Sequence, residues 1–235
     1  MELLDIIVST HNGEKYLPLC IESILSQTYP DFNLVVWNDG SSDNSLYIAK
    51  KYASFDSRVK VVNQKQQGFT QSLSQALKMT SNKYLAWVDS DDLILPTCLE
   101  ETVSFLESNP KYGMVYTQYF DIDEQGDKLG LGHRCKYQYS QDELLKLFIT
   151  FHFRLIKRIA FEAIGGINET YKFAADYDLC LRLSETCDIY NLQKPLCCYR
   201  RHQDQISNTF RRQQSYFAQK AINSATVRRN ASQSL

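Results

Sequence analysis

The stretch Tyr84–Pro96, YLAWVDSDDLILP, decides how this chain is read. It opens as an apolar strand, delivers Asp89, Asp91 and Asp92, and then turns apolar again. In an extended segment, residues two apart point the same way. Asp89 and Asp91 are therefore expected side by side. Two carboxylates so placed repel each other unless a cation lies between them. A hard divalent cation, Mg²⁺ or Mn²⁺, prefers oxygen donors and keeps positions open for phosphate oxygens. Asp92 reads differently, as a residue that starts the following helix and favours its positive N-terminal end. A D-x-D taken alone is weak, because phosphatases and phosphotransferases also carry it.

Outward from that strand the chain alternates. LLDIIVST, NLVVWNDGS and RVKVVNQ read as short, continuous, β-branched strands. Between them Leu17, Cys20, Ile21, Ile24 and Leu25 recur at helical spacing, and SDNSLYIAKKYA and TQSLSQALKM read as two further helices. This rhythm predicts βαβ units and a parallel sheet buried on both faces. Beyond Pro96 the expected order is a helix (TCLEETVSFLESNP) and then a strand (YGMVYTQYF). The polar, glycine-bearing segment Asp121–Ser140 follows as a hairpin or mobile loop. QDELLKLF (helix), FHFRLIKR (strand), AADYDLCLRLSE (helix with an acidic start) and LCCYRRH (strand) complete the series. One domain over residues 1–210 is expected, with a nucleotide-binding half (1–95) and an acceptor-binding half (96–210). A polar, basic tail covers 211–235. Its arginines 211, 212, 228 and 229 read as a solvated helix face, with attraction to anionic lipid as the sharper alternative.

Composition narrows the function classes. The net charge of -1 and 43% hydrophobic residues describe an ordinary globular chain and lack the basic excess of a nucleic-acid binder. Seven cysteines without C-x-x-C spacing argue against both a disulfide framework and a zinc site. MELLDIIVST has no basic n-region, and no apolar run reaches membrane-span length. The expectation is a cytoplasmic protein, with the inner face of a membrane left open as its place of work.

In an open parallel sheet, ligands bind beyond the carboxyl ends of the strands. STHNGE, WNDGS and VDSDD all fall at such ends, and AADYD can be carried to the same rim. The ordered set IIVSTHN, SILSQTYPDF, LVVWNDGSSD, YLAWVDSDD and GGINE with AADYDLCLRL resembles the family-2 glycosyltransferases of GT-A fold. The resemblance spans roughly residues 3 to 202. It implies an α/β fold with a Rossmann-like, mostly parallel central sheet flanked by helices, and a smaller acceptor-side region. It also implies inverting transfer from a nucleotide-diphosphate sugar, with UDP expected, to the hydroxyl of a saccharide or lipid-linked saccharide. By the family pattern Thr10, His11 and Asn12 lie against the nucleotide, Asp39 contacts the base, and Asp89 lies near the ribose. Asp91 ligates a divalent metal, Mn or Mg, and His202 in YRRH touches metal or diphosphate. Asp176 is the catalytic base.

The chemistry asks for these parts independently. A departing nucleoside diphosphate carries negative charge that a metal neutralises. An acceptor hydroxyl must lose its proton to a carboxylate on the opposite face. The chain departs from the family pattern at Asn38, where an acid is common, at Ala175 before the base, and in lacking an Arg-Asn pair near GFTQSLSQAL. Diphosphate neutralisation then rests on the metal, His202 and nearby arginines. Asp178 and Trp87 read as structural, and His152, a lone histidine among aromatics, as a core residue. The competing reading is a catalytically inactive nucleotide-sugar-binding module of the same fold, which intact Asp89, Asp91 and Asp176 oppose. A phosphotransferase would call for a P-loop, and no G-x-x-x-x-G-K-[ST] occurs.

Overall fold

The computed structural model describes residues 4–233. Its elements run β1 (Leu4–Thr10), α1 (Leu17–Leu25), β2 (Phe32–Asp39), α2 (Ser45–Phe55), β3 (Val59–Gln64), α3 (Phe69–Lys78), β4 (Tyr84–Trp87), β5 (Leu93–Ile94) and α4 (Cys98–Ser108). They continue with β6 (Tyr112–Ile122), β7 (Lys128–Leu131), α5 (Gln141–Lys146), β8 (Arg154–Lys157), α6 (Arg158–Ala163), α7 (Ala175–Thr186), β9 (Asp188–Arg200), α8 (Ile206–Thr209) and α9 (Arg211–Gln233).

Among the described residues the strands form one nine-stranded sheet of order β3-β2-β1-β4-β8-β6-β9-β5, with β7 added to β6. The block β3-β2-β1-β4 is parallel, as the alternation predicts. β8 enters antiparallel to both β4 and β6, while β6 and β9 pair in parallel. The segment read as a hairpin or loop is a hairpin: β7 returns along the end of β6.

Strand alternation sorts the core into two layers. Leu4, Ile6 and Val8 of β1 pack with Leu34 and Val36 of β2 and with Leu17, Cys20, Ile21 and Ile24 of α1. Ile7, Val35, Trp37, Leu85 and Trp87 point to the other face, against α3 and α7. Each such side chain, fully buried, contributes about 1.5–3 kcal/mol. The seven cysteines are free thiols.

The C-terminal helix α9 belongs to that second layer. Ala221 and Ala225, one turn apart, are fully buried beside α7 residues. Arg228 forks onto Glu185 at 2.6 and 2.9 Å, and Arg229 donates to Ser184 Oγ at 3.0 Å. Two of the four tail arginines are thus committed to α7, while Arg211 and Arg212 are exposed. No described helix is long and apolar enough to cross a membrane.

Candidate active site

The carboxyl ends of β1, β2 and β4 carry the expected loops to one edge. Thr10 ends β1 opposite Asn38 of β2. Its Oγ1 is buried without a hydrogen-bond partner among the described residues, and a Cβ on Gly13 would come within 2.4 Å of it. The His11 ring lies 2.8 Å by Nδ1 from the Asp39 carbonyl. That carbonyl can only accept, so Nδ1 carries the proton and Nε2 accepts from Gln66 at 3.1 Å. Asn12, at φ +52°, braces the neighbouring loop by accepting from Ser42 N at 2.8 Å. Asp39 is buried, and its two oxygens take the backbone amides of Gln67 and Gly68, each at 2.9 Å. This carboxylate therefore pins the entrance of α3, while each oxygen keeps a second lone pair.

The acid cluster differs from the extended segment read in the sequence. Asp92 N donates to Asp89 O at 3.0 Å, which closes a turn directly after β4. The turn divides the three acids between two histidines. Asp91 Oδ2 lies 2.8 Å from His202 Nε2. Asp89 Oδ2 is 3.4 Å from His152 Nε2, and Asp92 Oδ2 is 2.7 Å from the same nitrogen.

Asp92 does not start a helix. α4 begins at Cys98 after Thr97, and Asp92 is buried, binding His152 and the backbone amide of Arg200 at 2.8 Å. Tertiary packing overrode the local preference of Asp for a first turn. His152 is buried as expected, but it is an ion-pair partner rather than an apolar core member. Burial pulls its pKa down, and the charges and hydrogen bonds of Asp92 and Asp89 outweigh this, raising it to about 10. Burial pushes the Asp89 carboxyl up, but His152, with Arg154 further off, brings it below the usual carboxylate range. Burial and the adjacent acids hold Asp92 up at about 7.

Arg200 ties the turn to the rest of the edge. It is 1% exposed, and Nε donates to Asp91 O at 2.9 Å while Nη1 reaches Asp123 O and Glu124 O at 3.1 Å. His202, two residues on, packs beside Tyr16 with ring centroids 5.1 Å apart.

Asp176 sits in the first turn of α7, which Ala174 enters at φ +57°. Its Oδ2 lies 3.4 Å from Arg154 Nη2. Arg154 itself is 4% exposed, stacks 4.8 Å over Trp87 and donates to Thr150 O at 3.0 Å. Its charge also helps to lower the Asp89 pKa. His152 on Asp89 and Arg154 on Asp176, two residues apart, thus bring α7 and the acid turn to one strand start, although α7 and β4 are far apart in the chain. Asp178 is structural: it is buried and bound by Arg182 at 2.8 Å.

The sequence did not mark Arg154 or Arg200, and it marked His152 only as a core residue. The available signal was a charged residue within an otherwise apolar strand, FHFRLIKR for Arg154 and LCCYRRH for Arg200. Their partners lie too far away in the sequence for spacing to supply them.

A parallel block extended by an antiparallel strand, with acids gathered on its carboxyl edge, defines an α/β domain of the GT-A class. Residues 5–165 match the model of glycosyl transferase family 2, and the chain belongs to that family. It is 31% identical over 199 residues to chondroitin synthase of Escherichia coli, covering 85% of this chain and 29% of that protein. It is 29% identical to hyaluronan synthase of Pasteurella multocida, covering 87% of this chain and 21% of that one. The chain spans less than a third of the length of these two relatives. The structure of S. aureus TarS residues 1–349 in complex with UDP is similar in fold, with a TM-score of 0.74 at 19% identity, covering 94% of this chain and 64% of that one.

Proposed function

We propose that this chain transfers a sugar, with inversion, from a UDP-sugar to an acceptor hydroxyl during the building of a polysaccharide. One observation carries the proposal: His152, which meets Asp89 and Asp92, and Arg154, which meets Asp176, stand two residues apart at the start of β8. The base and the acid motif then serve one reaction centre. Asp176, part-exposed at 24%, takes the acceptor proton. In-line attack on the anomeric carbon expels UDP on the opposite side. Thr10, His11, Asn12 and Asp39 line the nucleotide, and Asp89 lies toward the ribose. The polysaccharide synthases among the relatives and the UDP complex of TarS support the donor and product classes.

A divalent cation fits the Asp91–His202 pair. The two donor atoms are 2.8 Å apart, close to the spacing of neighbouring ligands around a six-coordinate ion, about 3 Å. A carboxylate oxygen with an imidazole nitrogen suits Mn²⁺ and is compatible with Mg²⁺. Asp89, Asp92 and His152 form a three-donor group too. There the protonated imidazole already occupies the position of a cation. When bound at Asp91 and His202, the metal supplies charge neutralisation for the departing diphosphate.

The test is UDP release from a panel of UDP-sugars with Mn²⁺, with and without candidate oligosaccharide acceptors, by the wild-type chain and Asp176→Asn. Acceptor-stimulated release by the wild type alone, with an inverted anomeric signal in the product, is expected. Tight UDP-sugar binding without any turnover would instead identify an inactive binding module.

A further inference from the structure

Arg134 is a cation that the fold leaves without a use. It lies in a short 3-10 turn, His133–Lys136, after β7. Its guanidinium sits 4.1 Å over the Phe151 ring and 5.8 Å from that of Phe148. Nε and Nη1 are buried without a hydrogen-bond partner among the described residues. By contrast, the neighbouring Arg201 is taken by Asp121 at 2.8 Å, and Arg154 by Asp176 at 3.4 Å. Desolvating a guanidinium without pairing it costs free energy, and stacking on aromatic rings offsets only part of that cost. Arg134 stays part-exposed as a residue, and Nη2, unlike Nε and Nη1, is not among its buried unpaired atoms, so a ligand can approach the guanidinium from that side.

With Arg201 and Arg154 each paired to an acid, the unpaired charge near the candidate base is that of Arg134. Burial lowers the Arg134 pKa, while Tyr119, Tyr199 and Asp176 are near enough to pull it back up. His133 is held below its usual value by burial and then by Arg134 and Arg201, with Asp121 the opposing acid. Both guanidiniums lie near the Phe148 ring, Arg134 at 5.8 Å and Arg154 at 5.3 Å, and Phe148 stacks on Tyr177, the neighbour of Asp176, at 4.7 Å. Arg134 is therefore joined to the Asp176 turn through the aromatic pair Phe148 and Tyr177, while Arg154 contacts Asp176 directly. The donor diphosphate, in the reading above, belongs with Asp91 and His202.

The geometry points to an anionic acceptor: Arg134 binds a carboxylate or phosphate group carried by the acceptor sugar, beside the hydroxyl that Asp176 deprotonates. A planar guanidinium fork matches either oxyanion. This inference rests on the glycosyltransferase reading.

The experiment titrates the full chain, loaded with UDP and Mn²⁺, with methyl glucuronide, glucose 6-phosphate and methyl glucoside, read by ligand-observed NMR. At least one anion is expected to bind about tenfold or more tightly than the neutral glucoside. Which anion binds separates a uronic acid from a sugar phosphate. Arg134→Gln is expected to erase the preference with UDP affinity unchanged, and Arg134→Lys to restore part of it. Equal binding of all three probes by the wild type overturns the inference, and so does a preference that survives in Arg134→Gln. Loss of UDP affinity in Arg134→Gln also overturns it, by moving the arginine to the donor. Should that variant not fold, salt decides: the wild-type preference must shrink as ionic strength rises from about 0.05 M to about 0.5 M. Wild-type protein that binds no UDP would sink the glycosyltransferase reading itself, and this inference with it.

Discussion

Asp92 and His152, on opposite sides of β6 in the chain, meet at 2.7 Å beneath the turn that follows β4. Both are nearly inaccessible, and Asp89 closes on the same imidazole nitrogen at 3.4 Å. The turn that carries the acid motif is therefore met by a counter-cation from the segment before β8.

Replacing that cation is predicted to destabilise the fold in a pH-dependent way. His152→Gln leaves a buried carboxylate uncompensated, at a cost of about 3 kcal/mol near neutral pH. The His152 pKa is raised to about 10 in the folded chain, against an ordinary value of 6.5. Its stabilisation is therefore fully present below about pH 6.5 and is lost as pH rises through about 10. Thermal melts of both proteins at several pH values should show the gap narrowing toward pH 10. A gap of constant size would mean that the histidine is not protonated in this cluster.

Asp91 and His202 are predicted to bind UDP only through a divalent ion. Asp91→Ala and His202→Ala should each weaken Mn²⁺-dependent UDP binding by at least about tenfold in calorimetry. In EDTA, all three proteins should bind UDP equally weakly. If the wild type keeps its full affinity in EDTA, the metal assignment fails.

Asp176→Asn should lower kcat by about a hundred- to ten-thousandfold, the range for loss of a general base. UDP affinity should not change, since the proposed role is confined to the acceptor side. Normal turnover by this variant would reassign the base.

Gly40 tests the nucleotide rim. It adopts φ +67°, and a Cβ there would lie 2.6 Å from the backbone nitrogen of Gln66, next to the loop that Asp39 holds. Gly40→Ala should cost about 1–3 kcal/mol in urea unfolding and weaken UDP binding together with it. A variant with wild-type midpoint and affinity would show that the loop adjusts freely.

The parallel half of the fold was legible because local periodicity carries it. Buried strands such as IIVS and LVVW and helices such as Leu17–Leu25 write their faces into residue order. The motif loops followed, since loops after such strands reach one edge wherever the strands are parallel. Antiparallel β8 was legible as a strand but not in its place, because pairing between β4 and β6 depends on contacts distant in the chain.

The candidate site divides along the same line. By itself, the sequence determined which carboxylates arrive at the edge: Asp39, Asp89 and Asp91 at strand ends and Asp176 at a helix start. Only the tertiary structure decided what each acid meets there. It turned Asp92 from a helix-start residue into the partner of His152 and Arg200, set His202 against Asp91, and set Arg154 against Asp176. The physical reason is range. Strand and helix signals are repeated every two to four residues, whereas the charge of a buried acid is balanced by whichever cation the packed core brings within about 4 Å.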